Sequence, residues 1–158
     1  MEYSEILRYM YSNLNGCTES AILFIFVFFD TFLGTKWRKL NKVAITSGGG
    51  LDGLKTNVPL ALFPVCIWAL TILMSVIPTH IGGRDFVFNT AIFDVISLIL
   101  TIVIGQFMLK SIFANAQLAG FDIPTWLTKW VEDEYHVKVQ KMIEEPSSAS
   151  TESNGKEM

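Results

Sequence analysis

Polar and apolar positions along this chain do not alternate at a helical or a strand period. They come in blocks. Residues 58–77, VPLALFPVCIWALTILMSVI, contain no charge, and residues 86–109, FVFNTAIFDVISLILTIVIGQFML, contain one acid, Asp94. A third block, residues 17–35, is apolar until Asp30 interrupts it. A hydrocarbon core about 30 Å thick is crossed by a helix of roughly 20 mostly apolar residues. The blocks therefore predict three transmembrane helices, at about 17–35, 58–77 and 86–109, in a membrane domain spanning residues 20–110. The competing assignment is a set of core helices in a soluble protein. The length of the second and third blocks argues against it. The first block is shorter and argues less. It is not a secretory signal, because Glu2, Glu5 and Glu19 precede or open it in place of a basic segment, and no small-residue cleavage site follows.

The segments between the blocks read differently. In the N-terminal part, residues 1–19, Ile6, Leu7, Met10, Tyr11 and Leu14 recur at helical spacing. That fits a short helix on the membrane surface, or equally a frayed terminus. Residues 46–56, TSGGGLDGLKT, place Gly48 and Gly53 as a phosphate-binding loop would, but Leu54 separates Gly53 from Lys55. That lysine must follow the glycine directly, so a flexible connector is expected. Residues 77–85, IPTHIGGRD, predict a tight turn. After the third block, Gly120 is expected to end a helix, and Asp122 with Pro124 to open another running to about residue 145. On that last helix Leu127, Trp130, Val131, Tyr135 and Met142 gather on one side, and Glu134 and Lys138 form a surface pair four residues apart. Residues 146–158 carry almost no apolar side chains and should be disordered. The expected fold class is an all-α integral membrane protein: three transmembrane helices, a cytoplasmic helical segment over 111–145 with an amphipathic helix, and a disordered tail.

Composition agrees with this. Of 158 residues, 51% are hydrophobic, and the mean hydropathy is +0.41. The net charge of −3 is uninformative, but the distribution of cations is not. Lys36, Arg38, Lys39, Lys42 and Lys55 form a basic loop between the first two blocks. Lys110, Lys129, Lys138, Lys141 and Lys156 follow the third, and only Arg8 and Arg84 lie on the other side. The bias predicts the N-terminus outside and both the basic loop and the C-terminus in the cytoplasm. The lipid bilayer is the partner this implies, and nucleic acid is not one.

No catalytic constellation can be assembled without crossing the bilayer, so an enzyme is not expected, nor a metal or other cofactor. Cys17 and Cys66 should lie at different depths, which disfavours a disulfide between them. His80 and His136 fall on opposite sides of the membrane. The informative residues are polar ones inside the apolar blocks. A charge at bilayer centre costs about 2.5–3.5 kcal/mol or more, so such residues face protein or water. Thr90, Asp94, Ser97, Thr101 and Gly105 recur on one face of the third helix at about 100° per residue. That stripe is either a packing seam within one copy or a subunit interface or wetted pore wall. Asp30 lies about one turn inside the cationic end of the first helix. It reads as an ion-paired structural acid, with Lys36, Arg38 and Lys55 as the cations within reach.

The residues around Asp30 also carry a resemblance. DTFLGTKWRKLN followed by TSGGGLDGLKT resembles the motif of a bacteriophage holin family that includes clostridial toxin-secretion holins. In that family an Asp near the end of the first span is followed by Gly four residues on, then Lys-rich residues, Ser, and Gly near Lys. Asp30, Gly34, Lys36, Lys39, Ser47, Gly53 and Lys55 match. The family closes its last span with a segment like SILENA and then Pro-x-Pro-x-x-Leu; here SIFANA, from Ser111, precedes GFDIPTWL. Ala114 stands in place of the family's Glu, and Asp122 in place of its first Pro. The resemblance covers about residues 21–127. It implies a homo-oligomer in the bacterial cytoplasmic membrane that opens a timed lesion and so releases or activates an endolysin, without required direct contact, for host lysis. The alternative from another class is a small membrane adaptor that anchors a partner through its cytoplasmic helix.

Overall fold

The computed structural model describes residues 14–43, 47–76, 80–81, 84–85 and 91–144. Most of the N-terminal surface segment, Thr90 and the tail from residue 146 lie outside the described residues. Among those described there are four helices: α1 (Gly16–Leu40), α2 (Ser47–Val76), α3 (Ala91–Leu118) and α4 (Thr125–Glu144). Two short antiparallel strands, β1 (His80–Ile81) and β2 (Arg84–Asp85), join α2 to α3, with Ile81 opposite Arg84. That pairing puts a reversal where the turn was expected. Three of the helices contain segments long and apolar enough to cross a membrane: Gly16–Leu40, Gly53–Met74 and Ala91–Leu118.

The helix ends follow from local chemistry. Asn15 caps α1: its Oδ1 accepts from the Cys17 and Thr18 amides at 3.0 and 3.2 Å, while Thr18 Oγ1 accepts from the Asn15 amide at 3.0 Å. This reciprocal arrangement satisfies amides that the first turn leaves open. At the other end the Val43 amide reaches Arg38 O at 3.0 Å, and Lys42 takes a left-handed φ of 54°. α3 ends the same way. The Phe121 amide bonds to Ala116 O, the Gly120 amide bonds to Gln117 O, and Gly120 has φ 79°. Both are Schellman closures, in which the left-handed residue lets two amides turn back onto the last carbonyls. Gly120 adopts that conformation at no steric cost and Lys42 does not.

Two boundaries differ from expectation. The glycine-rich stretch expected as a connector is helical from Ser47, so α2 starts well before residue 58. A helix already nucleated by its apolar part gains one hydrogen bond for each residue added, which offsets the entropy of ordering glycine. α3 continues to Leu118, past 109, because no breaker occurs before Gly120; its expected start at 86 lies outside the described residues.

The distribution of polarity is inverted relative to a water-soluble bundle. Phe28 is 66% exposed, Phe107 71% and Ile99 56%, whereas Glu19, Ser20, Ser97 and Asn115 are buried. A surface of Phe, Ile, Leu and Val around polar contacts suits a lipid solvent, which leaves no water for internal polar groups.

Contacts divide the chain into two units: Met1–Val27 with Thr56–Gln106, and Phe28–Lys55 with Phe107–Met158. In the first, Leu23, Val27, Ala61, Pro64, Ser97 and Ile104 are buried. In the second, Trp37, Met108, Ile112, Ala114, Leu127 and Val131 are buried.

Candidate functional site: two buried polar clusters

The first cluster joins α1, α2 and α3. Glu19, 2% exposed, accepts hydrogen bonds from Ser97 Oγ and, at 3.3 Å, from Thr101 Oγ1. Ser97 is fully buried, and its hydroxyl also lies 3.0 Å from the carbonyl oxygen of Pro64. The single Thr101 hydroxyl proton is shared with Ser97 O, which lies closer at 2.9 Å. Pro64 lies inside α2, where its ring removes a helical donor and crowds the preceding turn. The next amide, Val65 N–H, donates to Ser20 Oγ at 3.1 Å. Thus Ser97 and Ser20 bond to the two ends of the same Pro64–Val65 peptide unit, its carbonyl and its amide. Gly16 makes the approach possible: a Cβ there would collide with Trp68 Cβ and the Pro64 carbonyl. A Cβ at Gly105 would meet Phe26 and Leu23 side chains at 3.5 and 3.7 Å, ordinary contact distances.

The stripe predicted on α3 is therefore placed in part. Ser97, Thr101 and Gly105 face side chains of α1. Asp94 lies exposed in the first turn of α3. Thr90 lies outside the described residues.

The second cluster joins α1, α3 and α4 and is built on Asp30. Ser111 Oγ donates to Asp30 Oδ1 at 2.6 Å, and Asn115 Nδ2 donates to Asp30 Oδ1 at 2.8 Å and to Asp30 O at 3.2 Å. Lys138 reaches the same two residues from α4. Its Nζ donates to Ser111 Oγ at 2.7 Å, to Asn115 Oδ1 at 2.8 Å and to Ser111 O at 3.2 Å. Ser111 and Asn115 therefore each bridge the carboxylate to the ammonium. Their amide and hydroxyl groups both donate and accept, so each passes polarisation from the cation to the anion. Gly34, one turn beyond Asp30, lies against this cluster: a Cβ there would lie 3.4 Å from Asn115 Nδ2, at the edge of ordinary contact.

One sequence expectation changes here and another is extended. The partners that close on Asp30 include Ser111 and Asn115, with Lys138 behind them. Lys36 lies 4.0 Å above the Phe121 ring, and Arg38 lies over Trp37 at 5.7 Å. Lys39, Lys42 and Lys55 are exposed. Lys138, expected on the surface, has a side chain only 15% exposed, although its Nζ does lie 3.6 Å from Glu134. Burial lowers the Lys138 pKa from the usual 10.5, against the opposing pull of Asp30 and Glu134; Arg38 nearby also lowers it.

Sequence reasoning missed Glu19, Ser20 and Lys138 as cluster members. Glu19 lies four residues before the buried Leu23 at the start of an apolar run, which is a legible sign of a shared buried face. Lys138 gave no such sign, since its position depends on how α4 folds back onto α3. Among the described residues no three His, Cys, Asp or Glu side chains are grouped to hold a metal. Each cluster ties three helices together. No family model, curated protein or solved structure matches the chain.

Proposed function

We propose that the chain is a holin-type protein: a small protein of the bacterial cytoplasmic membrane that accumulates, self-associates and opens a lesion through which an endolysin is released or activated. One observation carries this reading. The residues that gave the resemblance lie far apart in sequence, yet Asp30 and Gly34 of one motif meet Ser111 and Asn115 of the other. A chance likeness of two short motifs gives no reason for them to converge on one hydrogen-bonded cluster. The fully buried Ala114 also accounts for the departure from the family's Glu, because a carboxylate there would lack water. The orientation follows the cation bias, with the basic loop and α4 cytoplasmic.

Inducible expression in a bacterium with a membrane-potential dye tests the proposal, with and without a co-expressed cytoplasmic endolysin. Abrupt depolarisation is expected, followed by lysis only when the endolysin is present. Accumulation in the membrane with unchanged potential and no lysis overturns it.

A second reading, an adaptor that recruits a partner through α4, is favoured by the exposure of Trp126, Val137 and Ile143 on that helix. It predicts membrane insertion without depolarisation.

A further inference from the structure

Trp126 is 71% exposed and Trp130 37%, and they lie one turn apart on the same side of α4. Phe121, in the link before α4, is 46% exposed. Large aromatic side chains do not belong in water in such numbers without a partner. Two cations stand beside them. Lys110 Nζ lies 5.6 Å from the Trp130 ring centroid, and Lys36 Nζ lies 4.0 Å from that of Phe121.

The position of Lys110 identifies the occupant. It is the first charged residue after the apolar run of α3, and Phe107, one turn earlier, is 71% exposed. In a lipid solvent Phe107 faces hydrocarbon, and Lys110 extends its ammonium to the polar boundary. Trp130 is held at that ammonium, and so at the boundary. There the amphipathic indole is most stable, with its ring against glycerol and upper acyl carbons and its N–H toward the headgroups. Lys110, Lys36 and Lys129 supply cations for anionic lipid phosphates. Asp133 lies on the same side of α4 a turn beyond, which sets the depth at the headgroups and not in the hydrocarbon.

We propose that Trp126, Trp130 and Phe121 form a lipid-headgroup anchor that seats α4 on the bilayer surface at the end of α3. The inference rests on the membrane placement of α3 and not on a lytic role.

The test uses the full chain in phosphatidylethanolamine–phosphatidylglycerol vesicles at low protein-to-lipid ratio. The parent spectrum minus that of Trp126→Phe or Trp130→Phe isolates each ring and leaves Trp37 and Trp68 in place. Each difference spectrum should be blue-shifted and lose most of its intensity to lipids brominated near the headgroup. It should lose less to lipids brominated near the chain ends or to aqueous iodide, and the loss should grow with the anionic fraction. A red-shifted signal quenched by iodide alone overturns the proposal. So does a blue-shifted signal quenched by neither agent, which places the rings against protein. Depolarisation assays do not enter the readout, so failure here leaves the holin reading standing, and the reverse holds as well.

Discussion

Replacing Lys138 by methionine should undock α4. Methionine keeps much of the stem but removes an ammonium that donates to Ser111 Oγ, Ser111 O and Asn115 Oδ1 at 2.7–3.2 Å. The side chain is only 15% exposed, so water does not replace these bonds in the docked state. Desolvation outweighs the pull of Asp30 and Glu134 on the ammonium, so the loss comes from the acceptors on Ser111 and Asn115 left without a donor, about 1–3 kcal/mol each. A net loss of about 2–4 kcal/mol is expected, a ~30- to 1,000-fold fall in the docked fraction relative to the undocked one. Hydrogen exchange of the α4 amides in lipid nanodiscs reads that ratio directly. Asp30→Asn alone should cost less, because asparagine still accepts from Ser111 and Asn115. The double variant should recover part of the Lys138→Met loss, since the carboxylate is no longer left without its cation. Glu132→Gln, at an exposed position on the same helix, is the control and should change little. If Lys138→Met leaves α4 protection at the parent level, the bridged pair does not hold the helix, and the packing of Leu127 and Val131 must suffice.

Further outcomes follow from the same contacts. Gly16→Ala should lower stability by about 1–3 kcal/mol in detergent unfolding, because the added methyl meets backbone of α2 as well as a side chain. Lys42→Gly should raise it by about 0.5–1 kcal/mol by relieving the left-handed strain, and no gain would mean the strain is absorbed elsewhere. Docking of α4 should strengthen with rising pH. The folded-state pKa of Lys138 lies below its unfolded value of 10.5, so its contribution is complete above 10.5 and is lost as pH falls through the folded-state value. A distance probe between α1 and α4 should show this slope in the parent and lose it in Lys138→Met. Glu19→Gln should be tolerated, since an amide can donate to Ser97 and free its hydroxyl for Pro64 O. Glu19→Leu should loosen α1 by about 1–3 kcal/mol by leaving buried hydroxyls without that partner.

Helix count was legible because span length is dictated by bilayer thickness, which residues 58–77 satisfy by length alone. Helix ends were legible only where a single residue decides them, as Gly120 does. The extension of α2 back to Ser47 was not, because glycine's local preference opposes it and the gain comes from cooperativity with a span further along the chain. The α3 stripe was legible as a face, but its partner was not. Periodicity tells which residues share a side and says nothing about the helix that lies against it. Glu19 answers Ser97 and Thr101 across a sequence distance that no local pattern reaches.

The two acids of α1, one buried and one half-buried, show what a lipid solvent requires of a carboxylate. Each needs donors from other helices, because the α1 backbone has already committed its amides to the helical ladder. Glu19 obtains hydroxyl donors from Ser97 and Thr101 on α3, while Ser20 and Ser97 contact the amide and carbonyl of the Pro64–Val65 peptide unit in α2. Asp30 obtains a hydroxyl and an amide from α3, and both are in turn held by a cation from α4. Glu19 cannot lose its donors without standing unsatisfied in an apolar surround, at a cost of several kcal/mol, and half-buried Asp30 bears part of that cost. Helix separation therefore needs either water or replacement donors from another copy. A lesion that admits water supplies the first, and self-association supplies the second. Under the proposed function, the groups that hold one copy together are thus the same groups whose release is stabilised by opening the membrane.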